Sequence, residues 1–190
     1  MAAIVLASNI LVQILFGQWL TWGAFTYPLA FLVTDLTNRL HGPAAARRVV
    51  LAGFLTGIAA SFIAAGLDRT TLRIALGSGT AFLAAQMTDV LVFDRLRAGR
   101  WWRAPLASTL IGSALDTALF FGIAFSAALS GLLPGDVGWA NAPVPVLGVG
   151  PEAPLWMSLA LADWGVKLAL ALVSLIPFRL IVGRAMARLA

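Results

Sequence analysis

Ionisable and amide side chains set inside long apolar runs are the residues of this sequence that could do chemistry. Asp116 lies in the interior of one such run. The nearest basic residue on that run, Arg103, is about 20 Å away along a helix axis. Asp163 and Lys167 are spaced i,i+4 with the acid first, which sets them on one helix face and lets them pair. Gln86 and Asp89 share a face at i,i+3, as do Asp35 and Asn38; Asn9 and Gln13 share one at i,i+4. Ser108, Thr109 and Ser113 add hydroxyls near Asp116. In a bilayer a charged side chain at mid-span costs roughly 2.5–3.5 kcal/mol on insertion scales, so each such residue needs a reason.

Two readings stand for most of them. Asp35 and Asp89 either pair with nearby arginines or face the interior. Asp163 and Lys167 either neutralise each other structurally or line a solute path. Asn9 and Gln13 either glue helices together by hydrogen bonds or belong to that path. Taken together, the groups describe a polar cavity that receives a solute with several hydrogen-bonding edges. No Gly-rich phosphate loop or nucleophile–base pair accompanies them. There is no cysteine, and His41 is the single histidine, which excludes thiolate and multi-histidine metal sites. The expectation is binding and passage: not an enzyme, no catalytic residues, no metal and no cofactor.

The elements that must hold these residues are membrane spans. The 190 residues are 61% hydrophobic and 11% charged, against about 25% charged in soluble domains. Lipid is the solvent that suits such a chain. The formal charge of +5 belongs to arginines between apolar runs, so nucleic acid is not an expected partner. Six apolar stretches emerge, at about 4–20, 22–36, 49–66, 72–93, 105–129 and 154–176, against the roughly 20 residues that a span needs. They predict an all-α membrane protein with one six-helix domain over 1–190. Residues 1–20 read as a retained span, because no basic flank or cleavage site marks a signal peptide. The second stretch is short, and Pro28 interrupts it. Tight hairpins are expected at Gln18–Thr21 and Asp68–Thr71. The Gly- and Pro-rich loop 130–153 is expected to be irregular, since its prolines oppose helix and strand alike. Gly53-x-x-x-Gly57 is a candidate helix-packing motif.

Arginine placement sets the orientation. Arg39, Arg47 and Arg48, then Arg95, Arg97, Arg100 and Arg103, then Arg179, Arg184 and Arg188 fall on one side. Only Arg69 and Arg73 fall on the other. The positive-inside rule puts both termini in the cytoplasm of a multi-pass protein in a bacterial cytoplasmic (inner) membrane. Trp101 and Trp102 fit an interfacial belt beside the arginines, and Trp19 and Trp22 fit the opposite one.

Several blocks run in a fixed order from about residue 20 to residue 180. They are Trp22-Gly-Ala-Phe25, Thr34-Asp-Leu-Thr37, Ala46-Arg-Arg48, Gln86-x-x-Asp-Val90 with Phe93 and Arg95-Leu-Arg97, Trp101-Trp102, Ser108-Thr109, Asp116-Thr117, and Asp163 followed by Lys167. In this order they resemble the queuosine precursor transporter family, also called the vitamin uptake transporter family. The chain departs from the family pattern at Asn38-Arg39, His41-Gly42 and Ser113.

The resemblance implies a six-helix inner-membrane importer of 7-deazaguanine precursors of the tRNA base queuosine. Its fold would be similar to the substrate-binding subunits of energy-coupling-factor (ECF) importers. The expected solute is 7-cyano-7-deazaguanine ahead of the 7-aminomethyl form. On that reading Asp116 or Asp89 accepts the N1–H and amine of the base, Gln86 donates to its O6, and Trp22, Phe25 or Tyr27 stacks on it. Asp35, Asn38, Asp163, Lys167, Gln13 and Ser113 complete the expected solute site. The alternative is a binding subunit that needs a separate energising partner. A homo-oligomer is compatible with either.

Overall fold

The computed structural model describes residues 1–11, 14–67, 69–133 and 135–188. Helix α1 (Ala2–Leu11) ends well short of the expected Leu20. Leu15–Phe16 (β1) and Leu20–Thr21 (β2) then pair antiparallel. The turn between them contains Gly17 at φ +71°, a conformation that glycine takes without a Cβ clash. A ten-residue helix reaches about 15 Å, half of a hydrocarbon core, so α1 alone does not cross. The break expected at Pro28 is present. α2 (Gly23–Thr26) stops before it and α3 (Leu29–His41) starts after it. Proline has no N–H to give a helix interior but suits a helix start.

The four remaining helices are long. α4 (Pro43–Gly66) begins on a proline, α5 (Leu72–Leu96) is N-capped by Thr71, α6 covers Arg103–Phe125, and α7 runs from Leu155 to Ala187. Thr71 accepts the backbone N–H of Ile74 at 3.1 Å, a standard N-cap contact. Each of the four is long and apolar enough to cross a bilayer, with mean hydropathies of 2.0, 1.3, 1.5 and 2.0. Leu55 and Ile63 on α4 and Val173, Ile176 and Leu180 on α7 are exposed. They form the lipid-facing surface that such helices require. The chain is therefore an all-α, multi-pass membrane protein.

Helix α5 is the central element, packed on α3, α4 and α6. Its small residues make this close approach feasible. A Cβ on Gly77 would sit 3.3 Å from the backbone N of Ala124 on α6. The Gly53/Gly57 motif does pack a helix: a Cβ on Gly57 would run into Val5 of α1, and one on Gly53 into Met1 just before it. The segment between α6 and α7 departs from the expectation of no strand. Pro143–Pro145 (β3) pairs antiparallel with Glu152–Pro154 (β4). A two-stranded ribbon has free edges on both sides, and its end prolines need no partner there.

Arg73 is buried at 1% exposure and closes the end of α6. Its Nε donates to Ile123 O at 2.7 Å, Nη2 donates to Ser126 O, and Nη1 reaches Ser130 Oγ at 3.4 Å. A helix end leaves its last carbonyls without partners, and this guanidinium supplies the donors.

Candidate functional site

A cavity of about 710 Å³ opens among the helices at the end that carries Arg69. That size is ordinary for a small-molecule site. Its mouth is lined by Gln18, Trp19, Arg69 and Trp139, and its walls include Phe120, Phe121 and Phe125. Its floor is Tyr27, Asp116, Asp163 and Lys167.

The floor is a closed network. Lys167 Nζ lies 2.7 Å from Asp116 Oδ2 and 2.5 Å from Asp163 Oδ2. It also donates to Thr117 Oγ1 at 3.0 Å, and Thr117 donates to Asp163 Oδ2 at 3.1 Å. Tyr27 Oη donates to Asp116 Oδ1 at 2.8 Å, and its ring lies 5.5 Å from Lys167 Nζ. The i,i+4 pair expected on the last span is thus present, and Asp116 joins it from α6. One cation serves two acids, so the cluster carries a formal charge of −1 at the bottom of a largely apolar cavity. Asp163 is the more open acid: its side chain is 17% exposed, against 6% for Asp116. Both of its bonds fall on Oδ2, which leaves Oδ1 of this cavity-lining residue without a bond among the described residues.

The fold explains why these residues meet. Pro28 ends α2 and leaves Tyr27 at the junction, where its phenol can reach across to α6. Asp116, Thr117, Phe120 and Phe121 recur at helical spacing, so one face of α6 supplies floor and wall together. Thr117 and the three phenylalanines were not singled out from the sequence as solute-contacting. Their spacing from Asp116 is the signal that finds them.

The other expected site residues lie elsewhere. Asp35, Asn38, Gln86 and Asp89 form a second buried cluster, away from the cavity lining. Asp35 accepts from Ser108 at 3.1 Å and from Thr109 at 3.3 Å. Gln86 Oε1 accepts from Thr34 at 2.6 Å, and Asn38 Nδ2 donates to Val90 O at 3.1 Å. Pairing of Asp35 or Asp89 with the nearby arginines does not occur among the described residues. Arg97 instead pairs with Asp94 at 3.3 Å and donates to Asn38 O, while Arg39 donates to Arg97 O. Ser113 is buried and bonds its own helix at Leu110 O. Trp22 and Phe25 pack with Phe16 in an aromatic cluster outside the cavity lining, so Tyr27 alone of the three stacking candidates lines it. Gln13 lies outside the described residues, as do Asp68 and the side chain of Asn9.

Comparison with known proteins agrees with a membrane carrier of this build. A family model described as "Putative vitamin uptake transporter" matches residues 21–182. A queuosine precursor transporter of Escherichia coli (strain K12) is 34% identical over 92% of this chain and 79% of its own length. A probable queuosine precursor transporter of Haemophilus influenzae is 37% identical over 55% of this chain and 52% of its own length. One of Bacillus subtilis (strain 168), also named as probable, is 29% identical over 85% and 71%. No solved structure matches the chain, and the likeness to ECF subunits rests on the sequence resemblance alone. Relatives named as transporters are not enzymes. With a matched segment that takes in α3 to α6, most of α7 and every residue of the cavity floor, the chain belongs to the vitamin uptake transporter family.

Proposed function

We propose that this protein imports queuosine precursors across a bacterial cytoplasmic membrane, the cyano form 7-cyano-7-deazaguanine ahead of the aminomethyl form. The observation that carries the reading is the cavity itself. It is aromatic on its walls and ends on Tyr27, Asp116, Asp163 and Lys167. A flat base with adjacent N–H donors needs that combination: a ring to stack on and carboxylate oxygens to receive the donors. Asp163 Oδ1 is open to a first donor. Asp116 Oδ1 becomes open to a second when the Tyr27 phenol gives way. The names of the relatives support the solute class.

On this reading the chain is one six-pass domain. α4 to α7 cross whole, while α1 with its hairpin and α2–α3 make two interrupted passes, allowed because protein covers their freed backbone. The arginine-rich end is cytoplasmic, so both termini are cytoplasmic and the cavity opens outward.

The test is genetic and biochemical. A strain unable to make the precursor, and dependent on this gene, should lose queuosine from its tRNA on deletion and regain it on complementation. Purified protein in liposomes should take up labelled 7-cyano-7-deazaguanine without any added subunit. Unchanged tRNA queuosine in the deletion strain refutes the reading.

A further inference from the structure

The buried cluster beyond the cavity floor is not used by the proposed solute site, and it has a chemical peculiarity. Asp35 on α3 and Asp89 on α5 face the same stretch of α6, where Ser108 and Thr109 reach Asp35 and a Cβ on Gly112 would lie 3.4 Å from the Asp89 Cβ, and this brings the two carboxyls beside each other. Both are buried, at 3% and 0% exposure. Ser108 and Thr109 donate to Asp35. Neither oxygen of Asp89 accepts a well-formed hydrogen bond among the described residues, with the Ser108 hydroxyl that bonds Asp35 beside it, and Gln86 Nε2 and Asn38 Oδ1 of the same cluster are also without partners.

Among the described residues no cation pairs with these acids, and Arg95 of α5 and Arg103 of α6 are exposed. Lys167 of α7 is held by Asp116 and Asp163, and Arg179 stacks on Trp101. Arg39 of α3 donates to Arg97 O, Arg97 just past α5 meets Asp94, and His41 at the end of α3 is exposed. Arg47 and Arg48 of α4 are exposed. Two like charges in contact inside a dry interior cannot both persist. A proton shared between the carboxyls removes one charge and supplies the donor that Asp89 lacks.

Position gives that proton a role. The Phe31 ring separates the cluster from the cavity floor: it meets Tyr27 edge-on at 6.3 Å and presses on α6 at Gly112, where a Cβ would be 2.8 Å from it. Phe31 and Asp35 follow Tyr27 one turn at a time toward Arg39, so a solute that left the floor along α3 would meet Phe31 and then the two acids. Beside Asp35 lies a void of about 10 Å³, bounded by Phe31, Thr109 and Phe178. That is about the space of one water.

We propose that Asp35 and Asp89 form a proton-binding pair distinct from the Lys167 cluster, and that one proton carried there drives import. The coupling rests on the transport reading above; the shared proton does not.

The experiment therefore has two arms. In the first, infrared spectra of the purified protein at neutral pH should show a protonated-carboxyl band. Asp35→Asn and Asp89→Asn should each remove it, and Asp89→Glu should retain it, at elution profiles matching the parent. In the second, liposomes holding the protein are loaded with labelled 7-cyano-7-deazaguanine by exchange and by an imposed pH gradient, alkaline inside. One proton per solute supports up to about tenfold accumulation per unit of gradient. In Asp89→Asn the gradient-driven accumulation should fall to the level reached by exchange alone, a loss of up to about tenfold per unit of gradient. A band that is absent, or that survives both Asn changes, overturns the pair. Parent exchange with no response to the gradient overturns the coupling. Absence of exchange sinks the transport reading instead, and the infrared band still decides the pair.

Discussion

Lys167→Met is the perturbation most sharply constrained by the structure. Lys167 is the one cation that faces Asp116 and Asp163 among the described residues, and its side chain is 4% exposed. Removing it strands two acids in the interior. Breaking a buried pair from one side costs about 3–5 kcal/mol in soluble proteins. For a chain of this size that corresponds to a fall of roughly 6–20 °C in Tm. Asp163→Asn is different. It takes away the surplus negative charge, leaves Lys167 with Asp116 at 2.7 Å as a neutral pair, and changes the more exposed of the two acids. Its cost should be under about 1.5 kcal/mol, because the amide oxygen can still accept from Thr117. Asp116→Asn should fall between the two, since it also weakens the acceptor of the Tyr27 phenol. The order of damage is thus Lys167→Met, then Asp116→Asn, then Asp163→Asn. Melting of fluorescent fusions in detergent, read by size-exclusion chromatography, measures it. Equal Tm losses for Lys167→Met and Asp163→Asn would refute the one-cation, two-acid account.

The remaining predictions use other parts of the fold. Gly112→Ala should destabilise by about 1–3 kcal/mol, because the new Cβ meets Phe31 at 2.8 Å and Ala85 O at 3.2 Å; Gly122→Ala, which meets nothing within 4 Å, should be neutral or slightly stabilising in the same melting assay. Arg73→Met should lower stability by at least about 2 kcal/mol, since Ile123 O and Ser126 O lose a charged donor; a Tm equal to the parent counts against the capping role. Asp116→Asn should insert normally but bind 7-cyano-7-deazaguanine more weakly, by up to about 10⁴-fold, because an amide offers a donor where the base needs an acceptor; parent-like affinity by equilibrium binding removes Asp116 from the site. A C-terminal tag should be shielded in intact spheroplasts and exposed after lysis, and labelling of intact spheroplasts by an impermeant reagent refutes the orientation.

The sequence by itself determined the class and most of the elements. Composition demanded lipid, and apolar runs of helical length marked α4 to α7, because a span must satisfy its own backbone whatever its neighbours do; the arginine-bearing ends escaped them, since α4 begins at Pro43 and α7 continues to Ala187. Pro28 announced the break between α2 and α3 for an equally local reason. The i,i+4 pair of Asp163 and Lys167 was legible because both residues sit on one helix. The first span reads from the sequence as one helix, whereas α1 stops at Leu11 and a hairpin follows; residues 4–20 are mostly apolar, and hydropathy does not distinguish the two arrangements.

What only the tertiary structure decided are the relations between helices. Nothing local says that Asp116 joins Lys167 from another helix, or that Tyr27 reaches 89 positions along the chain to bond it. Nor does spacing say that Asp35 and Asp89 meet each other and not the arginines a turn or two away. Those outcomes depend on how α3, α5 and α6 pack around small residues such as Gly77 and Gly112, which sets the distance and rotation of each helix. A side chain's face is written in its own helix. Its partner is fixed only when the neighbouring helix has docked.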